Sequence, residues 1–153
     1  MTTVIAVDYG RARIGLAIAT AEARLARPLA TLVRINRNED MRRLRELARE
    51  HEVKQLVVGL PLLLDGTRGE MAEEAERFAQ RARKQIGVPV EMVDERLTSW
   101  EAERLLEEEF GKKYRDDTQK KKKTENEKPT VDSVAAAVIL REYLGRQDAV
   151  ERA

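Results

Sequence analysis

Thr3-Val4-Ile5-Ala6-Val7-Asp8-Tyr9-Gly10-Arg11-Ala12-Arg13-Ile14-Gly15-Leu16-Ala17-Ile18-Ala19-Thr20 is the stretch on which the fold turns. Thr3 to Val7 are β-branched or apolar, Tyr9 to Ala12 have the composition of a turn, and Ile14 to Thr20 resume an apolar run. Short runs separated in this way suit a pair of strands. Asp8 closes the first of them. Open α/β sheets bind ligands outside the carboxyl ends of their strands, and a carboxylate buried there needs a cation or hydrogen-bond donors. Asp8 is therefore the first candidate for chemistry.

Working outward, Pro28 to Arg34 supplies a third strand. From Asp40 the apolar spacing becomes helical, with Met41, Leu44, Leu47 and Ala48 set among Arg and Glu, and Gln55 to Gly59 follow as a buried strand. Asp65-Gly66 marks a turn. Met71, Ala75, Phe78, Ala79, Ala82 and Ile86 form a second helical stripe, which Gly87 and Pro89 end, and Val90 to Asp94 make the next strand. Thr98 and Glu101 have capping-box spacing for a third helix carrying Trp100, Leu105, Leu106 and Phe110 as far as Gly111. Pro129 introduces a last helix with Val131, Val134, Ala135, Val138, Ile139 and Leu144 on it. The order βββαβαβαα indicates an α/β fold, a mixed sheet with helices on both faces.

The 153 residues suffice for one core and are too few for two domains of ordinary size. Cysteine is absent, which removes disulfides and thiolate zinc sites and suits a reducing compartment. The first apolar run has no basic leader before it, and no apolar stretch is long enough to span a bilayer, so the expected location is cytoplasmic. With 29 basic and 28 acidic residues the net charge is +1, so a polyanion surface must be a local patch. One such patch is the 112–128 segment. It holds eight Lys or Arg, four Asp or Glu and no periodic apolar residues, and reads as a mobile basic loop. Residues 1–146 then form a single domain, with 147–153 a frayed tail. His51, the only histidine, follows a helix among charged residues and reads as a surface group.

Two further places put carboxylates beside Asp8. Asp94 and Glu95 end the strand that begins at Val90, which brings them to the same edge of the sheet, although strand parity does not choose between them. Asp132 lies in the first turn of the last helix, on a row with Ala135, Ala136 and Ile139 that lets the helix lie close to the sheet. Taken singly, an Asp at a helix start is a cap or dipole partner, and an acidic residue after a strand begins a loop. Three carboxylates converging on one edge mean more. Hard divalent cations take oxygen ligands, and two-metal phosphodiester cleavage needs bridging carboxylates.

Asp8-Tyr9-Gly10-Arg11-Ala12-Arg13-Ile14-Gly15-Leu16-Ala17 resembles the first motif of the YqgF (RuvX) family. Val57-Val58-Gly59-Leu60-Pro61-Leu62 with Asp65-Gly66 is similar to the second, Asp94-Glu95-Arg96-Leu97-Thr98-Ser99 to the third, and Asp132-Ser133-Val134-Ala135-Ala136 to the fourth. One Asp-x-Gly at a strand end also resembles the phosphate loop of actin-like ATPases, but those enclose their nucleotide between two domains; four motifs in register are specific. The resemblance implies an RNase H-like fold, a five-stranded sheet of order 3-2-1-4-5 with strand 2 antiparallel. It assigns the catalytic, metal-binding carboxylates to Asp8, Glu95 and Asp132, with Mg²⁺ or Mn²⁺, two ions, as cofactor, and Asp94 left to orient the turn.

The activity it implies is a nuclease acting on the precursor of 16S ribosomal RNA during ribosome biogenesis. A Holliday junction resolvase acting on four-way DNA is the alternative, and a non-catalytic nucleic-acid-binding regulator the second. Partners would be nucleic acid and ribosome-assembly components, with the chain a monomer or homodimer. Arg11 and Arg13 fall beside Asp8, where guanidinium groups suit a phosphate, and Lys120, Lys121, Lys122 and Lys123 add to the nucleic-acid surface. Thr98 is better read as a helix cap than as a backbone contact. Leu63 and Leu64 stand where the family commonly has a polar residue, and the loop around Lys120 to Lys123 is unusually long and basic; both features bear on substrate contacts more than on chemistry.

Overall fold

The apolar runs at the N-terminus form a meander in which β1 (Thr3–Asp8), β2 (Arg13–Thr20) and β3 (Arg27–Val33) pair antiparallel in sequence order. A computed structural model describes residues 2–23, 25–61, 63, 65–95, 104, 108, 109 and 131–152, with 147–152 described by backbone only. β4 (Val53–Leu60) joins the free side of β1 in parallel, and β5 (Val90–Asp94) joins β4 in parallel. The order is β3-β2-β1-β4-β5, with β2 alone reversed, as the sequence resemblance implies. Because β1, β4 and β5 run the same way, Asp8, Leu60 and Asp94 reach one edge together.

Helix α1 (Arg37–Glu50) begins three residues before the Asp40 at which the apolar spacing changes. Its first turn has no apolar residue to announce it; the start is fixed by Asn36, whose side chain accepts the Glu39 N–H at 2.8 Å. Helix α2 (Glu70–Ile86) stops at Gly87, in the left-handed conformation with φ 79°. Helix α3 (Val131–Arg152) differs from expectation. It runs through Gly145 to Arg152, so the stretch expected to fray has helical backbone. A single glycine costs about 1 kcal/mol inside a helix, too little to end one already anchored by four buried turns. The helix expected after Thr98, the 112–128 loop and Lys120 to Lys123 lie outside the described residues, apart from Arg104, Glu108 and Glu109, which are helical.

The helices divide the sheet into two unlike halves. α1 and α2 cover one face, packing Met41, Leu44 and Phe78 over Ile5, Val7, Ile14, Leu16, Leu56 and Val58. α3 covers the other, setting Ala136, Ala137, Ile139 and Leu140 over Val4, Ala6, Ala17, Ala19, Val57 and Val93. The second face is so thin that backbone meets backbone: a side chain at Gly15 on β2 would overlap the main-chain carbonyl of Asp132 on α3. Among the described residues no helix is long and apolar enough to cross a membrane.

Candidate active site

Strand parity places the first carboxylate. Val4 and Ala6 point to the α3 face, so Asp8, two residues further, points there too, while Tyr9 joins the opposite core. The same count resolves the choice that the sequence leaves open on β5. Val93 packs on the α3 face and Met92 against the other core, which puts Glu95 on the side of Asp8 and Asp94 away from it.

β1 and β5 are not neighbours; β4 lies between them, so two strand spacings of about 4.8 Å each separate Asp8 from Glu95. The gap is closed at Gly59, the β4 residue level with Val93. A Cβ there would overlap Glu95 Oε1 and stand 2.7 Å from Ile139 Cδ1. The missing side chain is thus the channel through which Glu95 crosses β4 to hydrogen-bond Asp8. Protonated Glu95 donates and Asp8 accepts. Burial pushes the Glu95 carboxyl up to about 8, with the Asp8 charge adding to the effect. Burial likewise raises Asp8 to about 6; the bond from Glu95 opposes the rise and the charge of Asp132 reinforces it. Two carboxyl groups this close hold one proton between them.

Asp132 arrives from α3, on the turn that Gly15 allows to approach. Its carboxylate accepts from Arg13 Nε at 3.0 Å, an ion pair in which Arg13 is 60% and Asp132 31% exposed. Among the described residues no three His, Asp or Glu side chains stand close enough together to cage a metal ion. The donor set still fits a hard divalent cation: it is all carboxylate oxygen, and its buried pair is held together by a proton whose charge a cation would replace.

Arg11 and Arg13 part company. Arg13 stays at the carboxylate edge, while Arg11 binds Glu74 at 2.8 Å and Glu70 at 3.4 Å on α2. Below the turn runs a network that the sequence reading missed. Arg34 donates to Asp40 at 2.9 Å, to the Tyr9 hydroxyl at 2.8 Å and to the Gly10 carbonyl at 3.2 Å. Asp40 also accepts from Arg43 and from the Ile35 N–H. Although burial pushes the Asp40 carboxyl up, these donors hold it below its ordinary value. An Asp one residue before the apolar stripe of α1 was the available signal, because a charge buried that deeply needs such partners.

The architecture is RNase H-like. Thermus thermophilus RuvC, in a structure described as a complex with Holliday junction substrate, matches it with a TM-score of 0.58 at 14% identity, covering 97% of this chain and 96% of that one. At the level of sequence the match is closer: this chain belongs to the RuvX family, whose model, described as Holliday junction resolvase, spans residues 2–146. A relative from Anaeromyxobacter dehalogenans, named "Putative pre-16S rRNA nuclease", is 46% identical over 143 residues, 94% of this chain and 96% of its own length. Another of the same name, from Thermosynechococcus vestitus, is 35% identical over 153 residues, 100% of this chain and 94% of its own length.

Proposed function

We propose that this chain is a divalent-metal-dependent, cytoplasmic nuclease that processes precursor 16S ribosomal RNA, with Asp8, Glu95 and Asp132 as its metal ligands. The buried Asp8–Glu95 pair carries the reading: a core that brings two carboxyl groups together across an intervening strand is organised for a cation. The names of the relatives supply the substrate. Asp8, central among the three because it meets both Glu95 and the charge of Asp132, would hold the ions together with those two carboxylates. Mg²⁺ or Mn²⁺ bound there would supply positive charge at the attacking and leaving oxygens of a phosphodiester.

The chain's own part is to prepare that charge. Asp8 and Glu95 give up their shared proton, so cation binding strengthens as pH rises. With a cation bound, Asp132 would hold it in place of Arg13, and Arg13, exposed at the edge, would have its fork available for a substrate phosphate. Lys120 to Lys123 add further phosphate contacts, whereas Arg11 fastens the turn to α2. The family description favours a second substrate, four-way DNA. Symmetric junction cleavage needs two active sites and hence a homodimer, while trimming a single strand needs one.

Wild type and Asp8→Asn are to be incubated with a precursor ribosomal RNA fragment, a generic single strand and a four-way DNA junction, each with Mg²⁺, Mn²⁺ or EDTA. Metal-dependent cutting of the precursor, lost in Asp8→Asn, is the expected outcome. Preference for the junction would replace the substrate, and binding without cutting by either protein would make the chain a regulator.

A further inference from the structure

Away from the carboxylate edge, α2 carries a guanidinium that lacks a carboxylate partner among the described residues. Along α2, Glu74, Arg77, Phe78 and Arg81 share a row at spacings of three and four. Two of these serve the motif turn: Glu74 accepts from Arg11 Nε at 2.9 Å, and Phe78 packs its ring 5.4 Å from that of Tyr9. Arg81, a turn beyond Phe78, is half-buried, and its Nε is buried with no hydrogen-bond partner among the described residues.

Its electrostatic surroundings are unusual. Burial and the like charges of Arg37, Arg34 and Arg77 weaken its hold on its proton, with Tyr9 acting the other way. Arg34 shows what a compensated guanidinium looks like in the same neighbourhood, with Asp40 at 2.9 Å and the Tyr9 hydroxyl at 2.8 Å. Arg81 has no such partner among the described residues. A fold that gathers a guanidinium with an unsatisfied N–H beside further arginines is unfavourable by itself and becomes favourable when an anion enters.

We propose that Arg81, with Arg37 and Arg77, forms a second phosphate site, on the α1–α2 face, for the backbone of bound nucleic acid. Arginine forks match phosphate oxygens in pairs. The site lies behind the turn that carries Asp8, since Tyr9 touches Phe78 on one side and Arg34 on the other. A strand leaving the carboxylate edge over that turn would descend onto it. The source of the phosphate rests on the nuclease reading; the site itself rests on the arginines.

The test is binding of a labelled generic RNA single strand by the full chain in EDTA over a salt series, for wild type, Arg81→Met and the double variant R37Q/R77Q. Arg81→Met should bind roughly tenfold more weakly, and each lost phosphate contact should reduce the salt slope by about one. Arg81→Met should also melt at or above the wild-type temperature, since it removes repulsion and keeps the apolar stem. The Arg81 side-chain N–H resonance, followed by NMR, should move with RNA and respond only weakly to inorganic phosphate. Unchanged affinity and slope in folded R37Q/R77Q and Arg81→Met would overturn the site. Saturation by inorganic phosphate that RNA cannot displace would make it a small-anion site and overturn the backbone assignment. Asp8→Asn and Mg²⁺ run in parallel separate the two readings: binding through the arginines without cutting would sink the nuclease, and cutting by the wild type with RNA binding indifferent to the arginines would sink this proposal.

Discussion

The two faces of the sheet are built from different side chains and do different work. β1 and the residue after it show Ile5, Val7 and Tyr9 to α1 and α2, and Val4, Ala6 and Asp8 to α3. On the first face large residues such as Leu44 and Phe78 bury wide apolar area, which is where adhesion comes from. On the second, Ala6, Ala17, Ala19 and Ala136 contribute less area but let a helix come down onto the strands. The difference is one of purpose: bulk supplies stability, and smallness supplies the proximity that carboxylates need to act together.

The sharpest way to break this comparison is to damage each face once. Leu44→Ala, on the bulky face, should cost about 3 kcal/mol in urea unfolding yet leave cutting by the folded fraction within a few-fold. Gly15→Ala should cost less, about 1 to 3 kcal/mol, but lower cutting roughly a hundredfold, because the Asp132 backbone must move away from the strand. If both variants lose activity in proportion to stability, the division of labour is wrong.

Gly59→Ala tests the channel across β4. The added methyl displaces Glu95 from Asp8, so cation affinity should fall by about tenfold, read by calorimetry, while the fold survives. Melting against pH in EDTA then sharpens the account of the pair. Both carboxyl groups are raised on folding, so the native state holds more protons than the unfolded chain. The stability that these two protons contribute is complete below the ordinary carboxylate range and is lost as pH rises through about 6 and then about 8. The melting temperature should therefore fall over that interval, Asp8→Asn should flatten the fall, and Mg²⁺ should stabilise most at its alkaline end. The smallest effect belongs to Arg13→Gln. Its exposed ion pair should change stability by less than about 1 kcal/mol, while freeing Asp132 should raise Mg²⁺ affinity a few-fold.

Much of this was legible beforehand because it depends on local pattern. The alternation from Thr3 to Thr20 marks two strands, the stripe from Met71 to Ile86 marks α2 with its stop at Gly87, and the four motifs imply the strand order that is observed. What escaped was set by partners distant in the chain. α1 starts at Arg37 because Asn36 caps it, not because an apolar residue begins there. α3 passes Gly145 because packing upstream outweighs one weak residue. Arg11 and Arg13, two apart and alike in sequence, face different elements: one meets Glu74 on α2, the other Asp132 on α3.

By itself, then, the sequence determined the elements, their order and the residue types that suit a hard cation, since these follow from periodicity and side-chain chemistry. Only the tertiary structure decided how the carboxylates meet. Asp8 and Glu95 come together because β4 carries a glycine where a side chain would stand between them, and Asp132 nears them because Gly15 lets α3 rest on β2. Those are facts of distance between segments far apart in the chain, and distance is a property that no local pattern encodes.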